Sequence, residues 1–138
     1  MIKSSHVTDI KRERRKSFFF REMTALIREL AERESAVMDV FVSHVDISPN
    51  SGTCYVYFSS FKEPGEEVFR AVEPILRLYK PSLRTAFAKR VQTRYAPDLV
   101  FLYDKAKEKE RRVNDLLNKV QDDFVTTEPS DDTDTDKE

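Results

Sequence analysis

Between Arg77 and Arg94 the chain carries six basic residues, Arg77, Lys80, Arg84, Lys89, Arg90 and Arg94, and no acidic one. Cations gathered without carboxylates are suited to one kind of chemistry: they neutralise phosphates and release the counterions that a polyanion holds. A helical face kept only for solubility and local pairing usually mixes the two signs. This one-signed stretch therefore selects Lys80, Arg84, Lys89, Arg90 and Arg94 as candidate RNA contacts. Arg94 has a competing fate in a salt bridge to Asp98 or Asp104. A second cluster, Lys11, Arg12, Arg14, Arg15 and Lys16, falls where a helix begins, and cations gain nothing from the positive end of a helix dipole. It reads either as RNA contact or as a solvated helix end.

The whole-chain charge hides this basic character. The 138 residues sum to −1, yet residues 122–138 hold eight acidic residues against Lys137 alone, which leaves 23 basic and 17 acidic residues in 1–121. The expected organisation is one folded basic domain over 1–121 and a disordered, solubilising acidic tail over 122–138.

Other chemistries lack their residues. Cys54 is the only cysteine, which excludes an internal disulfide and fits a reducing cytoplasm. His6 and His44 have no partners at metal-ligand spacing. Gly52 and Gly65 are the only glycines, so there is no phosphate-cradling loop. Asp98 and Asp104 flank a strand and are explained by capping or ion pairing more simply than by acid–base work. No enzyme, cofactor, metal or small-molecule substrate is expected, and no apolar run approaches a membrane span.

The elements that must position the cations follow from periodicity. Phe19, Met23, Leu26, Ile27 and Leu30 form one stripe on a helix over residues 8–33. Residues 37–47 and 53–59 are rich in β-branched and aromatic residues around the turn Ser48-Pro49-Asn50-Ser51-Gly52, which predicts an antiparallel hairpin. On its second strand Cys54, Val56 and Phe58 share the core face, with Cys54 a small buried hydrophobe. Tyr55 and Tyr57, on the other face, are read as packing residues before base-stacking ones. The apolar phase of the first strand slips between Val42 and Val45, which predicts a bulge near Ser43-His44.

Pro64-Gly65-Glu66-Glu67 opens a second helix with the stripe Val68, Val72, Ile75, Leu76 and Tyr79. Pro74 and Pro81 predict an early bend and a break or kink near Tyr79-Lys80, followed by a third helix from Pro81 to Thr93 with Leu83, Phe87 and Val91 inward. Leu99–Tyr103 is the last strand; coming after helices, it need not pair with its chain neighbour. A final helix over 106–122 carries the stripe Val113, Leu116, Leu117 and Val120. The sum is an α+β, two-layer domain: a three-stranded sheet with helices packed on one face.

In this order, residues 10–120 resemble bacterial ribosome-binding factor A, a type II KH-like family. The hairpin Val40-Phe41-Val42-Ser43-His44-Val45-Asp46-Ile47-Ser48 with Thr53-Cys54-Tyr55-Val56-Tyr57-Phe58 is similar to the family's V-x-V-S-x-V-E-L/M-S and A-K-V-Y-V pair. Arg94-Tyr95-Ala96-Pro97-Asp98-Leu99-Val100-Phe101-Leu102-Tyr103-Asp104 is similar to R-x-x-P-E-L-x-F-x-Y-D, and Arg112-Val113-Asn114-Asp115-Leu116-Leu117 is a weaker match. The family's Ala-x-Gly kink reads Tyr79-Lys80-Pro81 here, so an RNA contact at that corner falls to side chains such as Lys80. The resemblance implies the order α-β-β-α-(kink)-α-β-α and a non-enzymatic assembly factor that binds the immature small (30S) ribosomal subunit. It also implies contacts with 16S rRNA and help in late maturation, including at low temperature. The expected protein is cytoplasmic and monomeric. The rival reading is a protein-interaction module that docks its basic helical face on an acidic protein partner.

Overall fold

A computed structural model of the chain describes the backbone of residues 2–127 and the side chains of residues 9–120. In order it contains α1 (Ile2–Arg33), a 3-10 turn (Ser35–Asp39), β1 (Val40–Ile47), β2 (Thr53–Ser60), α2 (Gly65–Val91), β3 (Asp98–Tyr103) and α3 (Lys105–Thr127). The chain divides into two compact units after Asp104, the second beginning at Lys105. The acidic tail from residue 128 on lies outside the described residues, and α3 continues past the expected helix end at 122.

The first unit is the expected α+β layer pair. β1 and β2 are antiparallel, β2 and β3 are parallel, and β2 is central. The last strand thus joins its neighbour in the chain, a pairing open to parallel strands only through a long crossover, which α2 supplies. Alternation sends Cys54, Val56, Phe58 and Leu99 to the face that α1 and α2 cover, where they meet Met23, Val72, Leu76 and Phe87. The β1 register shifts between Val42 and His44. That bulge keeps both Val42 and Val45 in the core even though three positions separate them.

The prolines act differently from expectation. α2 is one unbroken helix of 27 residues with Pro74 and Pro81 inside it, so the break near Tyr79-Lys80 and the separate third helix are corrected. Both prolines sit on the exposed side, as do Arg70 and Arg77 one turn earlier, whose carbonyls lose their helical donors. Carbonyls on that side are open to solvent, where the lost bond costs less than in a core. The opposite side buries Phe69, Val72, Leu76, Leu83, Phe87 and Val91 along the full length, and that packing outweighs the proline penalty.

α3, taken by itself, carries Val113, Leu116, Leu117 and Val120 along one side, as the periodicity predicts. An Arg112–Glu108 pair at 2.6 Å spans one of its turns.

Candidate nucleic-acid interface

The basic residues of α2 separate by what they touch. Arg84 donates from Nε to the Pro97 carbonyl at 3.2 Å and from Nη2 to the Ala96 carbonyl at 3.3 Å. Lys80 Nζ lies 3.6 Å from Asp98 Oδ1. Together they hold the loop leading into β3, so their first role is to position that loop. Arg90 turns toward α1, pairing with Glu29 and lying 3.7 Å from Glu22. A cation between two carboxylates has little charge left for a phosphate. Arg77 is paired with Glu73 at 2.5 Å, which raises its pKa above the ordinary arginine value, chiefly through that hydrogen bond.

Lys89 and Arg94 are not spent on carboxylates. Lys89 is exposed, and neither has an ion-pair partner among the described residues. The Arg94 guanidinium lies 5.3 Å from the ring centroid of Tyr95, so the foreseen bridge to Asp98 or Asp104 gives way to a cation–π contact. Tyr95 is 75% exposed. The loop that presents it is ordered at both ends: Gln92 adopts the left-handed conformation that ends α2, and Arg84 holds the Ala96 and Pro97 carbonyls.

On α1, Arg12 donates to the Ile47 carbonyl and lies 3.8 Å from Asp46, and Lys16 lies 3.7 Å from the same carboxylate and 3.4 Å from Glu13. Arg15 Nη1 donates to Ser51 Oγ at 2.6 Å. These three clasp the end of the hairpin. Lys11 and Arg14 have no ion-pair partner among the described residues.

The two basic segments, far apart in sequence, come together at one corner. Arg14 and Arg15 of α1, Ser51 of the β1–β2 turn, and Val91 and Thr93 at the end of α2 line a common cleft of about 430 Å³, with Phe18 and Phe19 as its apolar floor. The expected stripe along one helix is thereby reorganised. Within the two segments, Lys11, Arg14, Arg15, Lys89 and Arg94 have no carboxylate partner among the described residues, and neither does Arg84, whose guanidinium is spent on carbonyls. Sequence reasoning passed over Tyr95 and Phe18. Their signals were an aromatic residue in a polar turn, and a run of three phenylalanines of which the core stripe needs only Phe19.

On the other face of the sheet, the bulge brings Ser43 and His44 to Asp104, and the His44 ring stacks on Tyr57 with centroids 4.3 Å apart and planes 10° apart. Both donors meet one carboxylate oxygen, and Ser43 bonds to Asp104 rather than to His44, so the trio lacks the relay a nucleophilic serine requires. Among the described residues no group of three His, Cys, Asp or Glu side chains could hold a metal, and no helix is long and apolar enough to cross a membrane.

A two-layer α+β unit with a β2–α2–β3 crossover and a helix laid across the same sheet face is a KH-like domain. The chain belongs to the ribosome-binding factor A family, whose sequence model matches residues 11–117. A ribosome-binding factor A from Aromatoleum aromaticum is 32% identical over 100 residues, covering 72% of this chain and 76% of its own. One from Shewanella frigidimarina is 27% identical over 112 residues, covering 81% and 78%. The crystal structure of ribosome-binding factor A from Thermus thermophilus superposes with a TM-score of 0.55 at 26% identity, over 67% of this chain and 94% of that one.

Proposed function

We propose that the protein is a non-enzymatic ribosome-binding factor that docks on the immature small (30S) subunit by contacting 16S rRNA, and so assists its late maturation, including in the cold. The observation that carries this reading is the corner where the two basic segments meet: Arg14 and Arg15 line a cleft beside the end of α2, and Lys11, Lys89 and Arg94 of the same segments also have no carboxylate partner among the described residues. Membership of a family named for ribosome binding supplies the partner class. Phosphate contacts position the domain, and sequence is read weakly because few side chains at this corner are suited to base edges. The protein acts as a cytoplasmic monomer with its folded part basic and its tail acidic.

Sedimentation of lysate through a sucrose gradient tests this directly. The protein should travel with small subunits and return to the top of the gradient after ribonuclease treatment. Travel that survives ribonuclease would favour docking on an acidic protein instead. If about five phosphates are neutralised, log K falls against log salt with a slope of roughly −3.5 to −4.5.

A further inference from the structure

We infer that the cleft between α1, the β1–β2 turn and the end of α2 receives one unpaired nucleotide of single-stranded RNA; this rests on the RNA-binding reading above. Phosphate neutralisation alone needs only cations on a convex surface. This site has more: a recess of about 430 Å³, within the range of roughly 300–1,000 Å³ typical of small-ligand sites. Its lining includes no carboxylate and divides by chemistry, with Arg14 and Arg15 at the rim and Phe18, Phe19 and Val91 beneath. A cationic rim over an aromatic floor matches a nucleotide, whose phosphate seeks the guanidinium groups and whose base seeks a ring to stack on.

The parts are held in place. Arg15 is fixed by its 2.6 Å bond to Ser51 Oγ, which uses one of its five N–H donors and leaves the others for a phosphate. The Arg21 guanidinium lies over the Phe18 ring, 5.6 Å from its centroid, and holds one of its faces by a cation–π contact. Thr93 lines the same recess, and its hydroxyl has no hydrogen-bond partner among the described residues. A base inside a duplex cannot enter such a recess without unpairing, so the ligand is a loop, bulge or strand end.

Fluorescence anisotropy of the full chain against a labelled single-stranded oligoribonucleotide and a duplex of equal length separates the contributions. Phe18→Leu keeps the apolar volume and removes the ring; it should weaken single-strand binding about tenfold, leave the salt slope unchanged and leave duplex binding intact. Phe18→Tyr should bind as wild type does. Arg15→Ala should make the single-strand salt slope shallower by about 0.7. Unchanged single-strand affinity in Phe18→Leu, or equal loss for both RNAs, overturns the nucleotide site while wild-type sedimentation with small subunits leaves the ribosomal reading standing. A wild-type protein that neither binds RNA nor sediments with subunits overturns both.

Discussion

Ser43 donates a hydrogen bond to Asp104 across 61 residues of sequence, Oγ to Oδ2 at 2.6 Å, and so ties the bulge of β1 to the end of β3. His44 Nδ1 shares the same carboxylate oxygen at 3.1 Å, and the Asp104 side chain is only 6% exposed. A buried acceptor serving the two outer strands holds the sheet edges in register, and the Asp104 backbone adds its own bond to the Phe58 carbonyl at 2.8 Å. Asp104→Ala should lower stability by about 2–3 kcal/mol and Ser43→Ala by about 1 kcal/mol, because the first strands two donors and the second removes one of them. Urea denaturation measures both, and equal midpoints for Asp104→Ala and wild type would contradict the role.

Lys89 and Arg90 are neighbours with opposite prospects. Arg90 is occupied by Glu22 and Glu29, whereas Lys89 has no ion-pair partner among the described residues. Lys89→Ala should reduce the salt slope of RNA binding by about 0.7–0.9 and leave stability within about 0.5 kcal/mol. Arg90→Ala should leave the slope nearly unchanged and lower stability by about 1 kcal/mol, since Arg90 links α2 to α1 through partly exposed pairs. Salt titrations of the two variants, beside their denaturation curves, decide between the roles.

Gly65 is required by proximity. A Cβ there would lie 2.1 Å from the Tyr103 hydroxyl oxygen and 3.1 Å from the ring carbon that bears it. Gly65→Ala should therefore destabilise by about 1–3 kcal/mol. Adding Tyr103→Phe removes the nearest atom and should restore part of the loss, giving a coupling energy in a double-mutant cycle. Strict additivity would place the defect elsewhere.

Cys54 gives the fold a pH limit on the alkaline side. Burial, with a smaller contribution from Asp46, pushes its thiol from 9.0 up to about 12. The unfolded chain loses that proton first, so stability is full below about pH 9 and falls as pH rises toward about 12, by up to about 1.4 kcal/mol per pH unit. The stability difference between wild type and Cys54→Ala should therefore move against wild type between about pH 8 and about pH 10. A difference that does not change with pH would show that the thiol is not held neutral.

Elements governed by local chemistry were legible before the structure. The hairpin followed from β-branched runs around a Ser-Pro-Asn-Ser-Gly turn, and the phase slip between Val42 and Val45 located the bulge. What depended on distant partners was not legible. The continuity of α2 through Pro74 and Pro81 rests on which side of the helix faces water, and that is decided by packing against α1 and the sheet. The engagement of Arg90 depends on Glu29, 61 residues earlier, and that of Arg84 on carbonyls of a loop whose path no periodicity specifies. Cations could be listed from sequence; their occupancy could not.

The two prolines within α2 also bear on the order in which the molecule assembles. Each removes a bond from the ladder and disfavours helix by about 3 kcal/mol, so the segment Gly65–Val91 is a poor helix on its own and is stabilised by docking. The parallel pairing of β3 with β2 requires that segment as its bridge. An emerging chain therefore closes the hairpin early, through contacts near in sequence, and completes the sheet only in a late, concerted step.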